Sequence, residues 1–184
     1  MKIEHAALRM AQAIKKEVPE HPSSIAVLKH GIAILLNMTG IVSAVLLISW
    51  AAGTTAEALT AMISFALLRQ VSGGVHLKTG AACILLTTLL LTLISWVHLP
   101  QIWTHGFTAG AFILTAMYAP SRIEYQSRIP RTFYRTLTFI SCMLIMTNFV
   151  IQSDIIAASF LVQAMTLIRL KGGENPDPDP AQQS

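Results

Sequence analysis

Long apolar blocks alternate with short polar breaks along this chain. From residue 32 onward six such blocks follow one another, at 32–52, 55–68, 80–99, 102–119, 132–151 and 154–170. A helix needs roughly 20 apolar residues to cross the hydrocarbon layer of a bilayer, so each block reads as a candidate span. The breaks carry turn chemistry. Gly53 stops the first block, Thr54 with Glu57 has capping-box spacing for the second, and Pro100 separates the third from the fourth. Ahead of the spans, Ile3, Ala7, Met10, Ile14 and Val18 recur at spacings of three and four, with Lys2, Arg9, Lys15 and Lys16 mostly on other faces. That pattern predicts an amphipathic helix on a membrane surface within an interfacial segment 1–22, ended by Pro19 and Pro22 and followed by Ser23 or Ser24 as the next cap. The expected fold is all-α: a polytopic helical membrane protein of about six transmembrane helices in one domain over 1–170. The Pro-, Asp- and Gln-rich tail 171–184 is predicted to be disordered.

Composition agrees with that pattern. The chain is 53% apolar and 12% charged, against about 25% charged in an average soluble protein. The N-terminal segment is too charged for the core of a cleavable signal peptide. Charge also orients the spans, because cytoplasmic loops collect Lys and Arg. With six spans and both termini inside, all 13 Lys and Arg fall on the cytoplasmic side. The outer turns then hold only Glu57 and Asp154, and Trp50, Trp96 and Trp103 sit at outer ends, where indoles favour the interface. The net charge of +4 therefore reads as a topology signal, and nothing pairs it with the aromatic-basic pattern of nucleic-acid binding. Cys83 and Cys142 lack the spacing of a disulfide framework or zinc site, and no metal or cofactor is expected. His98 and His105 flank an outer turn with no carboxylate or thiol beside them in sequence. His5, His21 and His30 have no ligand spacing.

The segment from Arg69 to Cys83 is where chemistry concentrates: an arginine, three glycines (Gly73, Gly74, Gly80), His76 and Cys83 at the cytoplasmic mouth of the bundle. A cysteine nucleophile needs a neighbouring base, and imidazole suits that task near neutral pH. In one unbroken helix His76 and Cys83 would share a face but lie about 10.5 Å apart along the axis. A dyad within one chain therefore requires a break, with Gly73 and Gly74 holding an irregular loop and the next helix starting near Thr79 or Gly80. Cys83 would then occupy the first turn, where the helix dipole and free amides favour an anionic sulfur and could donate to an oxyanion. A plainer reading stands beside this one: paired glycines pack helices, a lone Cys in an apolar span is a small core residue, and Arg69 anchors the interface. On that reading the protein is a non-catalytic transporter or peptide-binding module. Cys142 reads as packing.

The pattern Arg69, Gly73-Gly74, His76 and Cys83 resembles the accessory gene regulator B family, membrane endopeptidases that process bacterial quorum-sensing propeptides. A second element agrees: Tyr118-Ala119-Pro120 at the end of the fourth block, followed by a basic loop and Pro130. The resemblance covers most of residues 1–170. It implies Cys83 as nucleophile and His76 as base and later general acid, with Arg69, Gly73 and Gly74 supporting the site. It also implies a thioester acyl-enzyme passed to an internal Cys or Ser of the peptide, closing a thiolactone or lactone. Tyr118, Pro120, Arg122, Arg128 and Arg131 become candidates for substrate contact, although Glu124 and Tyr125 depart from the family's loop. The implied setting is a bacterial inner membrane, multi-pass, with both termini and the active site cytoplasmic. The implied partners are membrane lipid and a short amphipathic propeptide, and a homodimer sharing the site stays open.

Overall fold

A computed structural model of the chain describes residues 2–75, 79–121 and 130–168. It contains α1 (Lys2–Glu17), α2 (Ile25–Ala52), α3 (Thr55–Ser72), α4 (Gly80–Ile94), α5 (Gln101–Tyr118), a 3-10 turn (Arg131–Phe133), α6 (Tyr134–Ile151) and α7 (Asp154–Met165). Among the described residues there is no β-strand, only an isolated bridge between Gly73 and Ser121. The all-α expectation holds, and each of the six apolar blocks is centred on a helix, α2 to α7. The tail 171–184 lies outside the described residues.

Local chemistry sets most of the boundaries. Ser24 caps α2 by accepting from the Val27 amide at 3.3 Å. Gly53 ends the same helix in the left-handed region at φ 73°, with the Thr54 amide donating back to the Ser49 carbonyl at 2.9 Å. Thr54 does precede α3, yet its hydroxyl makes no capping bond. It pairs instead with Ser95 Oγ at 3.2 Å, so a tertiary contact has replaced the expected capping box. α2 begins at Ile25 under the expected Ser24 cap and runs on through the apolar block 32–52, with polar Lys29 and His30 in its first turns.

Length separates the helices. By length and composition two of them, α2 and the 21-residue stretch Arg131–Ile151, are long and apolar enough to cross a membrane. α4 and α7, with 15 and 12 residues, are apolar but extend only about 22 and 18 Å at 1.5 Å per residue. The predicted spans 80–99 and 154–170 thus shorten. Residues 95–97 form a turn closed by the Trp96 and Val97 amides on the Leu93 and Ile94 carbonyls, and α7 gives way to a turn at Thr166.

α7 packs between α3 and α5, α6 lies against α5 and α3, and α2 carries α1 and α4. Small and polar residues share the interior with large apolar ones, and the exterior is strongly apolar. Fully buried positions include Ser49, Ser72, Thr108, Thr115, Ser141, Asn148, Ser159 and Gln163 beside small Ala58, Ala61, Ala111 and Ala157. Meanwhile Leu35, Leu47, Leu85 and Val150 are 64, 67, 73 and 87% exposed. Small and hydroxyl-bearing residues at helix contacts with large apolar ones outside are what lipid-facing helices require. Two clusters anchor the interior, one around Val45, Phe65, Leu91 and Ile155 and one around Leu68, Ile145 and Phe160. Asn148 adds polar bonds, donating to Thr108 Oγ1 at 2.9 Å and accepting from the Ser153 amide at 3.2 Å.

α1 differs from its simplest reading. Ala7 and Ala11 are fully buried, whereas Met10, Ile14 and Val18 are exposed. The two alanines, one turn apart, allow a close approach to α2, so the helix leans on the bundle with its small residues and keeps a second apolar stripe outward. At the end of the bundle where α3 begins, the Leu99 amide donates to Asp154 Oδ2 at 3.2 Å and Gln101 Nε2 to Gln152 Oε1 at 2.8 Å. His98 Nδ1 lies 4.0 Å from the same Asp154 oxygen, so a carboxylate does accompany His98 in space, which its position in sequence conceals. His105 stacks on Phe149 with ring centroids 6.0 Å apart. Among the described residues no group of three metal-ligating side chains forms.

Candidate active site

The opposite end of the bundle gathers the termini of α3, α5 and α7 and the start of α4. α3 ends when the Gly73 amide donates to the Arg69 carbonyl at 2.9 Å, and the chain then turns through Gly73 at φ 74° and Gly74 at φ 136°. These conformations strain any residue with a Cβ. At Gly74 space is also lacking: a Cβ there would lie 2.6 Å from Thr166 Oγ1, 3.2 Å from Arg69 Nη1 and 3.3 Å from Gln163 Nε2.

That turn is tied to the end of α5. The Ser121 amide donates to the Ser72 carbonyl and the Gly74 amide to the Ser121 carbonyl, both at 2.9 Å. The preceding Ala119–Pro120 peptide is cis, and Thr138 of α6 donates to the Ala119 carbonyl at 2.9 Å. The two motifs that stand about 40 residues apart in sequence are therefore one backbone junction.

Arg69 lies beneath the turn. Its Nη2 donates to the Val75 carbonyl at 2.6 Å, its Nη1 reaches Gln163 Oε1 at 3.4 Å, and the guanidinium sits 5.9 Å from the Phe65 ring centroid. Its guanidinium is a permanent positive charge beneath the turn. Gln163, fully buried on α7, donates through Nε2 to the Gly73 carbonyl at 2.7 Å and to Ser72 Oγ at 3.2 Å. The Val75 amide donates to the Thr166 carbonyl at 3.2 Å.

α4 begins at Gly80 under a Thr79 cap, whose Oγ1 accepts from the Ala82 amide at 3.3 Å while its carbonyl accepts from the Cys83 amide at 3.1 Å. Cys83 is therefore in the first turn, a half-buried free thiol. The Ala82 and Cys83 amides are engaged by the cap, which narrows the donors available at this helix start to Gly80 and Ala81. Ile3 of α1 and Asn37 of α2 wall this turn, 3.4 and 3.5 Å from where a Cβ on Gly80 would lie, and Asn37 Oδ1 is buried without a partner among the described residues. Along the outer face of α4 a shallow apolar groove runs past Ala82, Leu85, Leu86 and Leu89. His76, Arg122 and Arg128 lie outside the described residues. Tyr118, Pro120 and Arg131 are described, with Tyr118 and Arg131 exposed at the same end of the bundle.

The sequence of accessory gene regulator B proteins, taken as a family, matches residues 7–168. The chain belongs to the accessory gene regulator B family. It is 31% identical over 121 residues to an AgrB-like protein of Halalkalibacterium halodurans, covering 64% of this chain and 60% of that one. It is 29% identical over 102 residues to accessory gene regulator protein B of Staphylococcus carnosus, covering 51% of this chain and 53% of that one. The matched stretches thus span less than two thirds of either relative's own length. No solved structure matches this chain.

For this accessory gene regulator B family member, sequence reasoning located Arg69, Gly73, Gly74 and Cys83 but missed Ser121, Gln163, Thr166 and Asn37, which the fold brings around them. One signal was available. Gln163 and Asn37 are amides inside otherwise apolar blocks, where a polar side chain is conspicuous, and Gln163 does bond inside the bundle.

Proposed function

We propose that the protein is an integral-membrane cysteine endopeptidase that matures a quorum-sensing propeptide. Cys83 Sγ attacks a peptide carbonyl of the propeptide. A carbon–sulfur bond forms, the peptide carbon–nitrogen bond breaks, and the departing amine takes the proton that His76 removed from the thiol. The retained part of the peptide is then a thioester on Cys83. An internal Cys or Ser of that peptide displaces Cys83, closing a thiolactone or lactone and returning the enzyme thiol. A thioester keeps enough bond energy for ring closure.

The observation that carries this reading is the break between α3 and α4. It sets Cys83 on the first turn of a new helix, while both backbone polar groups of Val75, the neighbour of His76, are bonded. A continuous helix through His76 and Cys83 would hold the two about 10.5 Å apart along its axis. The bundle crosses the bacterial inner membrane six times, the shorter helices drawing the bilayer thin around them. Its Arg69–Cys83 end faces the cytoplasm, in keeping with Glu57 and Asp154 at the other end. The propeptide is short and amphipathic. Its apolar face lies in the inner leaflet against the α4 groove, and acidic residues on it meet the basic loop that carries Arg122, Arg128 and Arg131.

The test is co-expression with the propeptide encoded beside this gene. Cys83→Ala and His76→Ala are each expected to abolish cleavage, and a hydroxylamine-sensitive peptide adduct is expected on the parent protein. Undiminished cleavage by Cys83→Ala would end the peptidase assignment. An inert thiol together with transport of intact peptide would favour the non-catalytic reading.

A further inference from the structure

From the bonds that converge on Gly73 to Val75 we infer that Gln163, on α7, is a positioning residue that holds Arg69 and the Gly73–Val75 turn in place for the reaction at Cys83. This rests on the peptidase reading of Cys83 and His76.

The side chain is matched to its partners in a way few residues could be. Arg69 offers only donors and the Gly73 carbonyl only accepts. Gln163 meets the first with Oε1 at 3.4 Å and the second with Nε2 at 2.7 Å, so the two partners also fix which way the amide points. Glutamate would keep the Arg69 contact but turn a carboxylate oxygen toward a carbonyl. Leucine would lose both, and asparagine is one methylene too short to serve both. Ser72 Oγ, 3.2 Å from Nε2, extends the same hold to the last turn of α3.

The turn so held ends at Val75, the residue before His76, and Val75 is fixed at both backbone atoms. Its amide bonds the Thr166 carbonyl at 3.2 Å and its carbonyl takes Arg69 Nη2 at 2.6 Å. Both restraints lead back to Gln163. Arg69 touches its side chain directly, and Thr166 Oγ1 reaches its side-chain Oε1 at 3.2 Å. Gln163 is fully buried and lies on α7, with Gly74 seated where a Cβ would strike Thr166, Arg69 and Gln163 together. A helix that contributes none of the reacting groups therefore holds the turn that leads to the candidate base.

The full chain, purified in nanodiscs with its propeptide, is to be compared with Gln163→Leu, Gln163→Glu and, as a control, Asn148→Ala in a buried polar contact at the other end of the bundle. A base displaced by about 1 Å costs on the order of 10²-fold in rate. Gln163→Leu is expected to lower kcat by that order with KM within about threefold of the parent. Gln163→Glu is expected to fall at least about tenfold despite its equal size, and Asn148→Ala to lose thermal stability while keeping kcat. Should Gln163→Leu fail to accumulate, Gln163→Glu decides. A kcat within about threefold of the parent in an accumulated Gln163 variant, or a kcat loss in Asn148→Ala that tracks stability equally, overturns the inference. If Cys83→Ala is inactive while the Gln163 variants run at full rate, the positioning role alone falls. If Cys83→Ala still cleaves, the peptidase reading falls and takes this inference with it.

Discussion

Substituting alanine at three glycines separates backbone strain from crowding at the turn that precedes His76. Gly31 lies in α2 at an ordinary helical φ with nothing within 4 Å of an added Cβ. Alanine there should stabilise, by up to about 1 kcal/mol, because glycine is the poorer helix former. Gly53 has the same open space but a φ of +73°, so Gly53→Ala carries the left-handed penalty alone, about 1–2 kcal/mol. Gly74 combines a φ of +136° with a Cβ position 2.6 Å from Thr166 Oγ1. Its backbone region costs about 1–3 kcal/mol. Relieving the clash means moving Thr166 away from Gln163 or the turn away from α7, which surrenders at least one buried hydrogen bond at about 1–3 kcal/mol. Gly74→Ala should therefore destabilise by about 2–6 kcal/mol, clearly more than Gly53→Ala. Denaturant titration in mixed micelles, followed by the fluorescence of Trp50, Trp96 and Trp103, measures all three. The tryptophans sit away from Gly74, so their signal reports the whole bundle. A Gly74→Ala cost no larger than that of Gly53→Ala would refute the account of a turn packed down onto α7.

Other perturbations probe separate contacts. A Cβ at Gly40 would lie 2.8 Å from Ile84 Cδ1, so Gly40→Ala is expected to be near neutral alone. In an Ile84→Val background, where that methyl is gone, the same change should stabilise by about 0.5–1 kcal/mol, and a double-mutant cycle reads the coupling. Asn148→Ala leaves the Ser153 amide unpaired and should cost about 1–3 kcal/mol in the same titration. Arg69→Lys keeps the charge but cannot span Val75 and Gln163 at once, so propeptide cleavage should drop at least about tenfold with the chain still folded. A fully active lysine variant would reduce Arg69 to a charge.

The helices were legible because apolar length and breakers act locally. Ser24, Gly53 and Pro100 do in the structure what their residue types require. The glycine pair also signalled its break, since few other residues tolerate those dihedral angles. What stayed hidden was the choice among partners. Thr54 and Glu57 have the spacing of a cap, but a hydroxyl on Ser95 competes for Thr54 and wins. Asp154 reads as a lone outer charge until folding places it against His98 and the Leu99 amide. In the candidate site, the residues with reactive groups could be picked out by type. The residues that hold them, Ser121, Gln163 and Thr166, are ordinary in composition and remote in sequence, and only packing identifies them.

The bonds from α7 to the glycine turn separate what is recognisable in this chain from what holds its candidate site together. A fragment ending ahead of residue 163 would contain Arg69, both glycines, His76, Cys83 and the Tyr118-Ala119-Pro120 segment. It would satisfy any search for those signatures while lacking the amide and the carbonyl on which the turn rests. A degraded copy of such a gene could thus keep its signature long after its last helix is gone, and the intactness of α7 is the better sign that a copy is still in use.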